Sequence, residues 1–201
     1  RLGDASQITG ANTYLEQWSL MSFMGRVNYD YKNKYLVTAT LRADGSSRFG
    51  SNNRFAYFPS VALGWNIHSE AFMQNSSTVD QLKLRASYGS IGSQAIDPYQ
   101  TQALLGRTSY AYNNTAAFGY RPSSIGNPDL RWETSTTLNV GLDFALWNSR
   151  IFGSLEYYVT NTSDLLAPQP LPTSIGFGGF ITNIGETQNR GVELTISTLN
   201  I

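Results

Sequence analysis

The chain alternates apolar and polar residues over unusually long segments. From Phe55 to Ile67 every second residue is apolar, and Trp132–Leu146 keeps a similar face of Trp, Thr, Leu, Val and Phe. The opposite face of the second segment carries Arg131, Glu133, Ser135, Thr137, Asn139, Gly141 and Asp143. A period of two indicates β-strands, and these exceed the usual length of about five or six residues. The pattern is typical of a transmembrane β-barrel, with lipid on one side and water on the other.

This alternation predicts an antiparallel, all-β chain of about seven strands. They are Trp18–Tyr31, Lys34–Asp44, Phe55–His68, Gln81–Ile91, Arg131–Trp147, Arg150–Thr160 and Glu186–Leu199. Bacterial barrels have an even number of strands and leave no backbone unpaired in lipid. We therefore expect residues 1–201 to be part of a larger barrel. A soluble antiparallel sandwich or propeller is the alternative, but no Lys, Arg, Asp or Glu enters the apolar register in mid-strand.

The connections between the predicted strands fall into two sets. One set contains Lys32-Asn33, Ser69–Asp80 and Asn148-Ser149, and the other contains Gly45–Arg54, Gly92–Leu130 and Asn161–Gly185. Outer-membrane barrels have short periplasmic turns and longer extracellular loops, so the second set is predicted to be extracellular. Aromatic residues then gather into two girdles. The periplasmic one has Tyr29, Tyr31, Tyr35, Trp65 and Trp147, and the outer one has Phe55, Tyr57 and Trp132.

The same register assigns side chains to two environments. The predicted lipid-facing residues are Val61, Leu63, Trp65, Leu138, Val140, Leu142 and Phe144. The predicted lumen-facing residues are Arg26, Arg42, Asp44, Arg85, Arg131, Glu133, Asp143, Glu156 and Glu193. Dispersed charges of this kind keep a water-filled wall solvated, although some could instead contact a plug or cargo.

Composition excludes several classes of function. The net charge is zero, which argues against nucleic-acid binding. There is no Cys and only one His, His68, for which an interfacial or lumen position is simpler than a metal or catalytic role. No metalloprotease or nucleotide-binding motif occurs. We therefore expect no enzyme activity, cofactor or metal. No apolar run approaches the roughly 18 residues of a transmembrane helix.

Aromatic residues of the two longest loops are the candidate ligand contacts. They are Tyr99, Tyr110, Tyr112, Phe118, Tyr120, Phe177 and Phe180. Aromatic faces bind both sugar rings and peptide side chains. The alternative is that these residues pack the loops themselves.

Five stretches resemble the C-terminal barrel of the SusC/RagA family of TonB-dependent outer-membrane transporters from Bacteroidetes. The first is GRVNYDYKNKYLVTATLRADGSSRFG at Gly25–Gly50, followed by YFPSVALGWNI at Tyr57–Ile67, and the second is LKLRASYGSIG at Leu82–Gly92. The third is NPDLRWETSTTLNVGLDFALWNSRIFGSLEYY at Asn127–Tyr158. The fourth is TSDLL at Thr162–Leu166 with LPTSIGF at Leu171–Phe177, and the fifth is NIGETQNRGVELTI at Asn183–Ile196. The family's plug domain and TonB box match nothing in this sequence.

The resemblance implies a multi-pass protein of the bacterial outer membrane that imports oligosaccharides or peptides. A SusD-like surface lipoprotein would cover the outer face, and TonB would act on the plug from the periplasm. This segment would supply barrel wall and loops, and some of the loop aromatics would contact the lipoprotein. Two alternatives stay open, a passive porin-like channel and a soluble glycan-binding β-sandwich.

Overall fold

The computed structural model describes residue 13 and residues 15–200, and these form an all-β structure. The strands are β1 (Leu20–Tyr31), β2 (Tyr35–Ser46), β3 (Phe55–Asn66), β4 (Val79–Ser93), β5 (Leu105–Tyr112), β6 (Thr115–Pro122), β7 (Glu133–Leu146), β8 (Ile151–Ser163), β9 (Leu166–Pro170), β10 (Gly179–Asn183) and β11 (Thr187–Thr198). Two single 3-10 turns, Ile67–Ser69 and Thr173–Ile175, are the helical elements of the described residues. Neither is long and apolar enough to cross a bilayer.

The main sheet has seven strands in the order β1-β2-β3-β4-β7-β8-β11, and every neighbouring pair is antiparallel. These are the seven strands that the alternation predicts, with small shifts at their ends. They form a single sheet, and no second sheet of the described residues covers its apolar face, so the sandwich alternative is wrong. Within the described residues, β1 and β11 each pair with one neighbour only.

Two further hairpins lie inside segments that the sequence indicates as loops. β5 pairs with β6 within Gly92–Leu130, and β9 pairs with β10 within Asn161–Gly185. The sequence reading missed both because neither hairpin has one apolar and one polar face. β5–β6 carries aromatic residues on both faces, and β9 contains two prolines, which weaken any strand signal.

Backbone conformation explains the tight turns at one end of the sheet. Lys32 and Asn33 both have positive φ, as a type I′ hairpin turn requires. Trp147, Asn148 and Ser149 also have positive φ between β7 and β8. With the β3–β4 connection, residues 67–78, these turns share one end of the sheet, and the connections at residues 47–54, 94–132 and 164–186 share the other. Both very long connections therefore lie at the end opposite the two tight turns, as predicted, while the β3–β4 connection is longer than a tight turn and longer than the β2–β3 connection.

The buried hydrophobic core of the described residues lies among the longer connections. Its members are Phe49, Phe58, Ile96, Leu130 and Trp132, and we call this group the loop core. The Trp132 ring centroid lies 5.1 Å from that of Phe49 and 5.9 Å from that of Phe58. The indole Nε1 of Trp132 donates a hydrogen bond to the carbonyl oxygen of Arg54 at 3.1 Å.

The position of Trp132 corrects one expectation. Trp132 is 6% exposed, so it does not belong to an outer aromatic girdle. The physical reason is that β7 begins at Glu133. Trp132 therefore precedes the strand, and the alternation along β7 does not fix where its side chain points.

Candidate functional site

Strand register places the charged and apolar residues of the main sheet on opposite faces. Val140 is opposite Ala86 on β4 and Tyr157 on β8, whereas the next residue, Gly141, is opposite Arg85 and Glu156. Because side chains alternate along a strand, these two rows point to opposite sides. We call the side of Arg85 the polar face and the side of Val140 the apolar face.

An ion-pair network occupies the middle of the polar face. The Arg85 guanidinium donates to both oxygens of Asp143, with Nε 2.7 Å from Oδ2 and Nη2 2.8 Å from Oδ1. Its Nη2 also lies 2.8 Å from Oε1 of Glu156. The other Glu156 oxygen accepts a hydrogen bond from Nδ2 of Asn139 at 3.2 Å. The network therefore links three adjacent strands, β4, β7 and β8.

Glycine on both neighbouring strands makes room for this network. Gly64 and Gly141 are the cross-strand partners of Arg85. A Cβ atom at Gly141 would lie 3.2 Å from Nη2 of Arg85 and 3.3 Å from Cγ of Glu156. The missing side chain lets the guanidinium lie over β7 and reach the carboxylate on β8.

The remaining predicted lumen residues of the strands share this face by register. Arg26 donates to the Thr40 hydroxyl at 3.2 Å, and Glu193 lies directly opposite Glu156. Nε of Arg42 lies 2.7 Å from Oδ1 of Asp44, whose side chain is largely buried.

Two predicted lumen charges lie at the margin of the sheet and hold the β9–β10 hairpin. Arg131 precedes β7, and its Nε pairs with Oδ1 of Asp164 at 3.1 Å. Glu133 accepts a hydrogen bond from the backbone N–H of Leu166 at 3.4 Å. Both residues therefore have structural partners at the long-loop end.

The apolar face carries every residue predicted to contact lipid. Cross-strand pairs put Val61, Leu63, Trp65, Leu138, Val140, Leu142 and Phe144 on this side. Large side chains here are open, with Leu63 52% exposed. A continuous exposed apolar surface marks a contact with lipid or protein. This face therefore has the chemistry of a membrane-facing wall.

A polar cluster around Glu70 lies at the short-turn end of the apolar face. The Glu70 carboxylate pairs with Nζ of Lys34 at 2.8 Å and accepts hydrogen bonds from the Tyr35 hydroxyl and the Trp65 indole. Tyr35 and Trp65 stack with ring centroids 6.5 Å apart. The hydrogen bond from Lys34, followed by those from Tyr35 and Trp65, lowers the pKa of Glu70 to about 2. These contacts attach the β3–β4 connection to Tyr35 and Trp65, two residues of the predicted periplasmic girdle.

A cleft opens between two of the longer connections at the opposite end. It has a volume of about 820 Å³ and a mostly apolar lining. The lining includes Pro98, Leu104, Ile125, Pro168, Pro170 and Phe180, with Asp97 and Gln100 at its polar part. This size is within the range of small-ligand sites.

The outer edge of β9 lacks two backbone hydrogen-bond donors at this cleft. On either side of β10, the backbone N–H of Leu165 donates to the carbonyl oxygen of Gly185, and that of Leu171 donates to the carbonyl oxygen of Gly178. Alternation then directs the backbone nitrogens of Pro168 and Pro170 outward, and proline has no N–H to donate. A ligand in the cleft would therefore find carbonyl acceptors and no N–H donors at these two positions.

The candidate aromatic residues do not form one site. Tyr110, Tyr112, Phe118 and Tyr120 are on the β5–β6 hairpin, where their side chains are exposed. Tyr99 has φ +68°, and its hydroxyl accepts a hydrogen bond from the backbone of Gln17 at 3.3 Å. Phe180 lines the cleft, whereas Phe177 is half-buried in the connection before β10.

Sequence reasoning missed several residues that organise these sites. The sequence did not single out Glu70. Its partner Lys34 is 36 residues away, and its partner Trp65 belongs to the apolar face, where the alternation does not report an indole hydrogen bond. Phe58 lies at a polar-face position and contributes to the loop core. For the β5–β6 hairpin, the Asn113-Asn114 pair was a usable turn signal.

Among the described residues, no group of three or more His, Asp or Glu side chains is arranged to hold a metal ion. The arrangement offers a two-faced wall, a polar network and a loop cleft.

Comparisons with known proteins match this geometry. The family model described as "TonB dependent receptor-like, beta-barrel" matches residues 3–200. TonB-dependent receptor P26 of Formosa agariphila is 42% identical over 184 residues, covering 92% of this chain and 19% of the relative. TonB-dependent receptor SusC of Bacteroides thetaiotaomicron is 40% identical over 190 residues, covering 92% of this chain and 19% of SusC.

A solved structure agrees with the sequence comparisons. The structure of the RagAB peptide transporter superposes with a TM-score of 0.83 at 36% identity, covering 90% of this chain and 20% of that one. The chain thus spans about a fifth of the length of the relatives that it matches. The resemblance to SusC and RagA is confirmed. The chain belongs to the β-barrel family of TonB-dependent receptors, proteins of the Gram-negative outer membrane.

Proposed function

We propose that this chain forms wall and outer loops of a TonB-dependent importer that takes up oligosaccharides or peptides. The observation that carries the proposal is the two-faced sheet. Its apolar face suits lipid, and its polar face, with the Arg85 network at the centre, suits a solvated lumen. The similarity to SusC and to a peptide transporter supports nutrient import in preference to other barrel functions.

The longer connections are the proposed contact region for cargo and for a SusD-like lipoprotein. They carry the cleft lined by Phe180 and the exposed aromatics of β5–β6. Their bases are fixed by the loop core, so the cleft has a rigid support. The short-turn end would face the periplasm, where TonB acts through a plug. Charges on the polar face would line the cargo path.

Growth of cells on single carbon sources tests this proposal. Cells that express the full-length protein should grow on one class of oligosaccharide or peptide and lose that growth when the gene is deleted. Deletion of the tonB gene should abolish the same uptake, because import would depend on energy. A passive porin-like channel would keep working without TonB, so uptake that persists in those cells would contradict the proposal.

A further inference from the structure

Arg190 is an exception to the separation of charged and apolar residues in the main sheet. On β11 it lies directly opposite Val159 of β8, which is in turn opposite Leu138 of β7. The Arg190 side chain therefore points to the apolar face. In the seven described strands of this sheet, no other Lys or Arg takes an apolar-face position by register. An arginine that faced lipid at the middle of the bilayer would be costly, so Arg190 should lie where the hydrocarbon ends.

The apolar face does become polar at the level of Arg190. Toward the longer connections, the last apolar or aromatic residues of this face on β4, β7, β8 and β11 are Tyr88, Leu138, Val159 and Val192. The next residues of the same face are Ser90, Thr136, Asn161 and Arg190. Hydrocarbon offers such groups no hydrogen-bond partner. Four adjacent strands therefore mark the outer edge of the apolar band, at the headgroup level of the membrane.

A shallow hollow lies across this edge. It has a volume of about 430 Å³ and is lined by Tyr88, Thr136, Leu138, Val159, Asn161 and Ser163. Its inner part is apolar, and its outer part offers hydroxyl and amide groups. The Asn161 side chain is oriented by a hydrogen bond that its Oδ1 accepts from Nε2 of Gln188 at 2.7 Å. Because Arg190 is directly opposite Val159, the hollow has an apolar part, a polar part and a cation beside it.

Further strands of a full-length barrel do not cover this hollow. They would extend the wall sideways from β1 or β11, whereas the hollow lies on β4, β7 and β8, which already have a neighbour on each side. The outer side of a barrel wall faces the membrane. What covers the hollow is therefore a membrane lipid or a second protein.

We propose that Arg190 and this hollow bind a lipopolysaccharide molecule, a phosphorylated saccharolipid of the outer leaflet. The Arg190 guanidinium pairs with a phosphate group, whose geometry it matches. Thr136 and Asn161 bond to sugar hydroxyls, and Tyr88 and Val159 contact an acyl chain. A lipid is favoured over a second protein because the order from apolar part to polar part to cation follows the order from acyl chain to sugar to phosphate. The inference rests on the proposed function for its orientation, with the longer connections outside.

The test counts lipid molecules on the full-length protein. Native mass spectrometry of the barrel in detergent, titrated with purified lipopolysaccharide, gives the affinity. Arg190→Glu should bind about tenfold more weakly, because repulsion replaces a charge-assisted hydrogen bond. Arg150→Glu reverses a charge just before β8, at the opposite end of the sheet, and is the matched control that should keep wild-type affinity. Heat-modifiable migration verifies that each variant is folded.

A second variant and two further ligands separate the sources of binding. Asn161→Leu/Gln188→Leu keeps Arg190 and suits a surface that faces lipid, yet it should weaken binding because the sugar loses its partners. Lipopolysaccharide stripped of its phosphates should bind equally to the wild-type protein and to Arg190→Glu. Inorganic phosphate in excess should leave the lipid bound, because it cannot replace the acyl-chain contacts.

Three results would overturn the inference. One is equal affinity of the wild-type protein and Arg190→Glu for intact lipopolysaccharide. Another is displacement of the lipid by inorganic phosphate alone, which would indicate a simple anion site. The third is a change of oligomeric state in Arg190→Glu with unchanged lipid affinity, which would identify a second copy of the protein as the occupant.

The same variants distinguish this inference from the proposed function. Uptake that depends on TonB, together with unchanged lipid affinity in Arg190→Glu, would refute the lipid site alone. Weaker lipid binding in Arg190→Glu, in a protein that shows no uptake dependent on TonB, would refute the import function alone.

Discussion

Arg85 and Asp143 join strands β4 and β7 through a two-point ion pair, with nitrogen–oxygen distances of 2.7 and 2.8 Å. A planar guanidinium matches a carboxylate in this geometry, which Lys cannot reproduce. Glu156 on β8 is held by the same guanidinium. One side chain therefore fixes three strands in mid-sheet, on the face proposed to line the lumen.

Removal of this guanidinium should weaken the sheet. Arg85→Ala would leave Asp143 and Glu156 without their cation, and we expect a loss of about 1–2 kcal/mol, because the pair is partly exposed and screened. Arg85→Lys should recover only part of it. Urea unfolding of the full-length barrel in micelles measures the change. Arg26→Ala is the control, since the described part of the chain gives Arg26 a single hydrogen bond, to the Thr40 hydroxyl, and an equal loss there would contradict the special role of Arg85.

Adjacent positions on β7 should respond in opposite ways to arginine. Val140→Arg places a charge on the apolar face and should cost about 2–4 kcal/mol of assembly if the residue lies near the midplane of the membrane. Asn139→Arg points to the polar face and should be tolerated. The fraction of heat-modifiable, folded barrel in outer-membrane preparations is the measurement. Equal effects from the two substitutions would show that the assignment of the faces is wrong.

Glu70 should make stability depend on pH in a narrow acidic range. Its pKa is lowered from 4.5 to about 2, so the ionised form is favoured in the folded state. Its contribution is complete above the ordinary value of 4.5 and is lost as the pH falls through about 2. Glu70→Gln should therefore lower the unfolding midpoint at neutral pH, and the difference from wild type should vanish near the lower limit.

Urea midpoints across this pH range measure the effect of Glu70. Glu186→Gln replaces an exposed carboxylate in the connection before β11 and should have no effect at neutral pH. A difference between Glu70→Gln and wild type that stays constant from neutral to strongly acidic pH would rule out the ion pair as its cause.

Truncation of Trp132 should loosen the long loops without opening the sheet. Trp132→Ala removes a large side chain from the loop core, a change that typically costs about 3–5 kcal/mol. We expect limited proteolysis to cleave the connections near Phe49 and Leu130 much faster, while the barrel still resists SDS. Tyr112→Ala, at an exposed position, is the control. Unchanged cleavage in Trp132→Ala would show that the loop core does not hold the loops.

The sequence was sufficient to predict the main sheet because burial there is one-sided. Each of the seven strands has one apolar face, and the alternation therefore reports both its presence and its register. The faces of Arg85 and Val140 follow from the same rule. The comparisons confirm the family that the motifs indicated.

The loop end could not be predicted in the same way. Its order comes from contacts between residues far apart in sequence, such as Phe49 with Trp132, and no local period encodes them. Pro168 and Pro170 weaken the sequence signal of β9, which forms by pairing with β10. Aromatic residues on both faces of β5–β6 remove the one-sided alternation that would predict those strands. The Glu70 cluster depends on a turn that returns to Lys34, which only the folded chain shows.

The loop core separates the anchoring of the loops from their chemistry. Phe49, Phe58, Ile96, Leu130 and Trp132 hold the bases together, whereas the cleft and the β5–β6 hairpin lie beyond them. Mutations at the tips can then accumulate, and even insertions can be accepted, without loss of the shared foundation. Outer segments attached in this way can vary in length and chemistry while the packed base, and with it the attachment of the loops, stays the same.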